Sequence, residues 1–210
     1  MELAQGIREL GLALPAESIG RLEAYAALLA KWNRVYNLTA IREPEQIVTH
    51  HLLDSLAVLR YVQRPRLADI GAGAGLPGIP LAIADRSLRV TLVESGEKKS
   101  AFLTQARTEL GLDNVTVERR RVQDYHPQLC FNTLICRAFS DVSAFLEQSR
   151  HLACDGGILL AMKGTNPAAE LRHLPTGLRL EGIPRLHVPG LDAERHLVVI
   201  RQSASVAARA

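Results

Sequence analysis

Between residues 67 and 162, short apolar runs alternate with stretches of helical periodicity. This alternation limits the fold more than any other feature of the chain. Strands are predicted at 67–70, 88–93, 114–118, 131–136 and 157–162, with helices at 77–84, 97–110 and 141–152 between them. Alternating strands and helices bury their apolar faces together only as a mostly parallel sheet covered by helices on both sides. Two further strands, at about 182–188 and 195–201, flank a Pro-Gly and an Asp and predict a long hairpin that closes the sheet antiparallel. The expected class is therefore α/β and Rossmann-like, with a C-terminal antiparallel hairpin.

Residues 1–62 read differently. In "AESIGRLEAYAALLAKWNRVY", Ile19, Leu22, Tyr25, Ala26, Leu29, Trp32 and Tyr36 fall at three- and four-residue spacing, one apolar stripe on a helix. "EPEQIVTHHLLDSLAVLRYV" repeats the pattern with Ile47, Leu52, Leu56 and Leu59, and Pro44 suits its first turn. No strand is expected here. The predicted organisation is an N-terminal helical region, 1–62, followed by a sheet domain, 63–210, with a frayed tail, "SASVAARA", at the end.

Composition adds bounds. A chain of 210 residues can bury a core without staples. Its net charge of +3 is only mildly basic. Arg supplies 21 of the 25 basic side chains, a bias that suits phosphate and guanine edges and also follows from a GC-rich genome. Cys130, Cys136 and Cys154 are odd in number and lack C-x-x-C spacing, so buried free thiols in a reducing compartment are expected, with neither a disulfide nor a zinc site. "MELAQGIREL" does not read as a signal peptide, and no apolar run approaches the ~18–20 residues of a membrane span. A cytoplasmic protein with no membrane contact is expected.

"ADIGAGAGLPGIP" follows the first predicted strand, where a sheet of this type binds ligands. The segment 73–78 satisfies G-x-G-x-x-G, a weak signal by itself. The dinucleotide fingerprint should begin at the strand end, which Gly71 already occupies. A pyrophosphate also needs amide donors at the helix start, and Pro77 and Pro80 lack them. A ligand without phosphate fits better, and S-adenosylmethionine is one. Glu94 closes the second strand 19 residues after Gly75, where an acid reaches ribose hydroxyls in this fold. Asp69 is placed to receive the ligand's amino group. An NAD-dependent oxidoreductase is the rival reading of the same loop, and a non-enzymatic protein that has kept a cofactor fold is another.

Six stretches, in order from about 30 to 165, carry a resemblance: "YNLTAIREPEQIVTHHLLDSL", "DIGAGAGLPGIPLAI", "LVESGEKKSAFL", "RRVQDY", "LICRAFSDVSAFL" and "LLAMKG". The chain resembles the bacterial small-subunit rRNA guanine-N7 methyltransferases, also called the RsmG or glucose-inhibited division protein B family. The resemblance implies a class I methyltransferase sheet with helices packed on it, S-adenosyl-L-methionine as cofactor, and methyl transfer to N7 of guanine 527 in the 530 loop of 16S rRNA. It implies that Gly71 and Leu76, with Gly73 between them, line the cofactor, that Val122 and Gln123 border its adenine, and that Arg137 stands at the reaction site. Cys136 and His50 depart from the residues usual in the family, Ser and Arg.

Guanine N7 carries a lone pair and no proton, so alkylating it needs no general base. Alignment alone then supplies several kcal/mol. Consistently, no N-P-P-Y or D-P-P-Y follows the fourth strand, and no Cys follows a Pro. Arg137, just past that strand, is expected to position cofactor, phosphate or guanine O6. RNA contacts are expected from Asn37, His51, Arg121, Phe139 and Lys163, with Phe139 either stacking on a base or packing in the core. His50 and Asp54 share a helical face, but no further ligand cluster is visible, so no metal is expected. Asn37 and Thr39 are expected to cap the loop between the helices. The expected partner is 16S rRNA within a small subunit or its assembly intermediate, because a mildly basic surface gives little affinity alone. A monomer is expected.

Overall fold

The structure, a computed structural model, describes residues 1–137, 139, 141–171 and 174–203; the tail beyond 203 lies outside the described residues. The chain opens with α1 (Leu3–Glu9), α2 (Ala16–Tyr36) and α3 (Pro44–Ile47). A π-helical turn, Val48–Leu53, joins α3 to α4 (Asp54–Leu56). The predicted α2 is observed over its full length, with Leu22, Tyr25 and Leu29 fully buried. Each such side chain contributes about 1.5–3 kcal/mol on burial. The helix ends at Asn37, which takes the left-handed conformation (φ 50°) that Asn tolerates better than most residues. The second helical stretch differs from the uniform helix expected. Its π turn carries His50 and His51, and such turns recur at functional sites.

The sheet strands are β1 (Arg66–Ile70), β2 (Arg89–Val93), β3 (Val115–Glu118), β4 (Phe131–Arg137), β5 (Ala153–Lys163), β6 (Leu178–Gly182) and β7 (His196–Gln202). Their order is β3-β2-β1-β4-β5-β7-β6. β1 to β5 run parallel, and β7 lies antiparallel between β5 and β6. Between strands lie α5 (Gly78–Ala84), α6 (Glu97–Glu109) and α7 (Val142–Ser149), the last capped by the Asp141 carboxylate on the Ala144 amide at 2.7 Å.

Alternating side chains serve the two faces of the sheet. Leu67, Ile135 and Leu160 join a cluster with Leu22, Leu29, Leu52 and Leu56, so α1 to α4 share one core with the sheet. Ala68, Leu134 and Leu159 face the other way, toward Phe145 of α7.

Two expectations are corrected. The sixth strand is not at 182–188 but at Leu178–Gly182. Pro184 cannot donate to a ladder, and the segment after it makes only an isolated bridge, Arg185 to His196. The true strand, "LRLEG", is a mostly exposed edge with charged side chains, and its Leu178/Leu180 alternation is too short to mark a strand by itself. The cysteines also differ: Cys130 is disulfide-bonded to Cys154, and only Cys136 is free, buried in β4. Phe131 pairs with Ala153, which brings the flanking cysteines together across 24 residues of chain. Spacing rules for local motifs cannot see such cross-strand neighbours. The compartment argument built on free thiols therefore loses its support.

Candidate active site

Two cavities open at the carboxyl ends of the central strands, and Phe139 lines both. Its ring also lies against Gly71, where an added Cβ would meet it at 3.5 Å, and packs on Phe145 at 5.7 Å. Packing and cavity lining are thus combined in one side chain.

The first cavity, about 360 Å³, lies between β1 and β2. It is lined by Gly71, Glu94, Arg121, Val122, Gln123 and Phe139, six of the residues singled out in the sequence, together with Ser95, Arg120 and Gln148, which were not. Glu94 organises it. One carboxylate oxygen accepts from the Gly73 amide at 2.9 Å and the other from the Gly96 amide at 2.7 Å. Gly71 and Gly73 both have positive φ, which lets the backbone turn close to the strand end. Leu76 is placed elsewhere: it is buried in the helical core below the loop.

Seven amides of the loop, those of Gly71, Ala72, Gly73, Gly75, Leu76, Gly78 and Ile79, donate inside the protein. The Gly78 amide, at the start of α5, is taken by Asp69 at 2.8 Å. The loop therefore offers no row of amides to a pyrophosphate. From the other side, the buried Tyr25 hydroxyl donates to the Ala74 carbonyl at 2.5 Å and so ties α2 to the loop. Asp69 is fully buried, and its second oxygen has no partner among the described residues. Burial pushes its carboxyl up to about 7; the Gly78 amide and Arg137 oppose that shift, and Glu94 adds to it.

The second cavity, about 430 Å³, joins the helical region to β4, β5 and the start of β7. His50, His51, Asp54, Arg137, Phe139, Lys163 and Arg195 line it, with Ile41 and Met162. Arg137, the last residue of β4, faces this cavity. Its Nη1 donates to the His50 carbonyl at 3.1 Å and lies 3.4 Å from the Asp54 carboxylate. Arg195 meets the other Asp54 oxygen at 3.0 Å. Burial pushes the Asp54 carboxyl up, and the two guanidiniums pull it back.

His51 is buried, and desolvation together with Arg137 lowers its pKa to about 4, so the ring is neutral at physiological pH. A neutral ring that donates from Nδ1 to the His50 carbonyl (3.0 Å) leaves Nε2 to accept from the Thr39 hydroxyl (2.8 Å). Among the described residues, no group of three or more His, Cys, Asp or Glu side chains is arranged to hold a metal ion.

Other expected contacts separate. Exposed Arg121 lines the first cavity beside Arg120, and its neighbours Arg119 and Arg120 are engaged by Glu97 and Glu118, both at 3.2 Å. Asn37 lies outside both cavities and accepts from Arg42 at 2.8 Å. As expected, Asn37 caps the end of α2 and Thr39 accepts from the Ile41 amide at 3.2 Å; Asn33 adds to them, accepting from the Thr39 amide at 2.8 Å and donating to the Ile41 carbonyl at 2.9 Å. Arg195 was missed because nothing near it in the sequence marks it. Only the pairing of Lys163 with His196 brings it beside β5.

Residues 18–198 match the family described as rRNA small subunit methyltransferase G. Curated relatives with the name ribosomal RNA small subunit methyltransferase G include one from Methylobacillus flagellatus, 51% identical over 95% of this chain and 96% of its own. Another, from Azoarcus sp. strain BH72, is 53% identical over 94% of each. Among solved structures, magnesium protoporphyrin IX methyltransferase from Synechocystis PCC 6803, which has S-adenosylmethionine bound, aligns with a TM-score of 0.61 at 18% identity, over 91% of this chain and 99% of that one. TrmN from Thermus thermophilus aligns with a TM-score of 0.58 at 20% identity, over 70% and 48%. These likenesses place the sheet in the class I methyltransferase fold.

Proposed function

The chain belongs to the rRNA small subunit methyltransferase G family, and from that premise we propose that it methylates N7 of guanine 527 in the 530 loop of 16S rRNA. It is an S-adenosylmethionine-dependent methyltransferase. The first cavity fits that cofactor. Glu94 faces it with acceptors for ribose hydroxyls, and Val122 and Gln123 flank the place of the adenine. With its loop amides already committed, the cavity also disfavours the diphosphate of NAD. When bound, S-adenosylmethionine supplies a methyl group on a positively charged sulfur, ready for in-line displacement.

The substrate base belongs in the second cavity, and the observation that carries this reading is the state of its would-be proton acceptors. Asp54 is held between Arg137 and Arg195, and the free lone pair of neutral His51 is committed to Thr39. A cavity whose buried bases, Asp54 and His51, are both engaged suits a nucleophile that has no proton to lose, and guanine N7 is one. Arg137, fixed on one side by the His50 carbonyl, orients the base through O6 or its phosphate and leaves N7 exposed. Phe139, shared by both cavities, aligns the two reactants and excludes water between them. Lys163 and Arg121 serve phosphates on either side.

Residues 1–62 form the substrate-facing cover of the sheet domain, and the enzyme acts as a monomer on a small subunit or its assembly intermediate in the cytoplasm. No helix of the described residues is long and apolar enough to cross a membrane. Cleavage chemistry specific for N7-methylguanine, applied to 16S rRNA from strains with and without the protein, tests the assignment. Cleavage at position 527 should vanish with the gene; retained cleavage there refutes it.

A further inference from the structure

Helix α2 leaves the core through a ladder of aromatic rings. Phe102 of α6 is fully buried, Trp32 meets it edge-on at 5.5 Å, and Tyr36 lies 5.1 Å from Trp32. The apolar stripe predicts a buried Tyr36, yet it is 43% exposed, and its neighbour Val35 is 69% exposed. The end of α2 thus presents a large aromatic ring to solvent beside an exposed Val.

The charge around them indicates which partner suits them. Residues 31–42 contain Lys31, Arg34 and Arg42 and no Asp or Glu. Lys31 and Arg34 are exposed and have no ion-pair partner among the described residues, and Arg42 bonds only the neutral Asn37. The acids Glu43 and Glu45 begin beyond this stretch.

This end of α2 is also continuous with the second cavity. Asn33 holds the segment at Thr39 and Ile41, Thr39 bonds His51, and Ile41 and His51 line the cavity. Trp32 fixes the Tyr36 ring before anything binds, so stacking on it costs little side-chain freedom. A fixed, solvent-facing ring among unpaired cations is complementary to an unstacked base flanked by phosphates.

We propose that the C-terminal end of α2 is an rRNA-docking platform, on which one single-stranded base beside the target nucleotide stacks on Tyr36 while Lys31, Arg34 and Arg42 meet its neighbouring phosphates. The platform rests on the proposed rRNA substrate and adds the surface that grips it outside the reaction cavity.

The test measures transfer of tritiated methyl groups from S-adenosylmethionine into small subunits prepared from a strain lacking the enzyme. Tyr36→Ala should raise KM for subunits about tenfold and leave cofactor Kd unchanged, and Tyr36→Phe should restore it. Joint Lys31→Glu and Arg34→Glu substitution should flatten the salt dependence of subunit binding. Tyr36→p-benzoylphenylalanine should photo-cross-link to 16S rRNA. The platform is overturned by an unchanged KM in Tyr36→Ala, by failure of Tyr36→Phe to rescue, or by a cross-link to a ribosomal protein. Wild-type enzyme that labels no subunit rRNA would instead overturn the substrate assignment, and the platform with it.

Discussion

The two cavities that meet at Phe139 are built on different plans. The first is made mostly from the loop after β1, the end of β2 and the turn after β3, with Phe139 and the α7 residue Gln148 completing it. Its polar work is done by backbone amides gathered on Glu94 and Asp69. The second is made from side chains brought from the loop before α3, the π turn, α4, β4, β5 and the residue before β7, with 141 residues separating the Asp54–Arg195 pair. Its polar work is done by guanidiniums, a carboxylate and a neutral imidazole. A backbone-built cavity suits a cofactor of fixed shape. A side-chain-built cavity gathers from across the chain the cations that an RNA substrate needs.

The sharpest way to break this division is to injure one cavity and read the other. Arg137→Ala should lower methyl transfer about 10²-fold, because a misaligned base forfeits most of the gain from orientation, while calorimetry finds cofactor Kd unchanged. Equal damage to both readouts would merge the two cavities into one functional unit.

The reverse injury is Glu94→Gln. An amide cannot accept from both the Gly73 and Gly96 N–H groups without turning its own donors toward one of them. Cofactor Kd should rise about tenfold or more, the scale of a lost charge-assisted bond, and KM for subunits should stay within twofold of wild type.

A smaller effect is expected where α2 supports the first cavity from outside. Tyr25→Phe removes only the hydroxyl that serves the buried Ala74 carbonyl. Chemical denaturation should report a loss of about 1–3 kcal/mol. An unchanged midpoint would show that the carbonyl finds another donor.

A pH dependence is expected as well. The Asp69 carboxyl keeps its proton to about pH 7 in the folded chain, against an ordinary value of 3.8. Its contribution to stability is therefore full below the ordinary carboxylate range and is lost as pH rises toward 7. Asp69→Asn cannot ionise, so its stability relative to wild type should improve between pH 5 and pH 8. A constant difference across that range would remove burial as the cause.

The contrast between the cavities also explains what the sequence discloses. Gly71 and Glu94 are legible because each follows a strand end at a spacing the sheet topology fixes, whereas Val122 and Gln123 are reached through the family resemblance. Arg137 is legible for the same reason as Gly71 and Glu94. Arg195 is not, since its place depends on β7 running antiparallel beside β5. Tyr25 reads as core because periodicity reports burial and is blind to a hydroxyl aimed at a loop carbonyl. Leu76 sits within the glycine motif yet points into the apolar core below it. β6 escapes notice because an edge strand needs no apolar face, and the Cys130–Cys154 bond because neighbouring strands bring distant residues together.

The most direct test of the central claim, that the glycine loop is built for a ligand without phosphate, is a pair of calorimetric titrations of the wild-type protein, one with S-adenosylmethionine and one with NAD. The account predicts one-site binding of S-adenosylmethionine and no heat from NAD. Saturable NAD binding that blocks S-adenosylmethionine would contradict it.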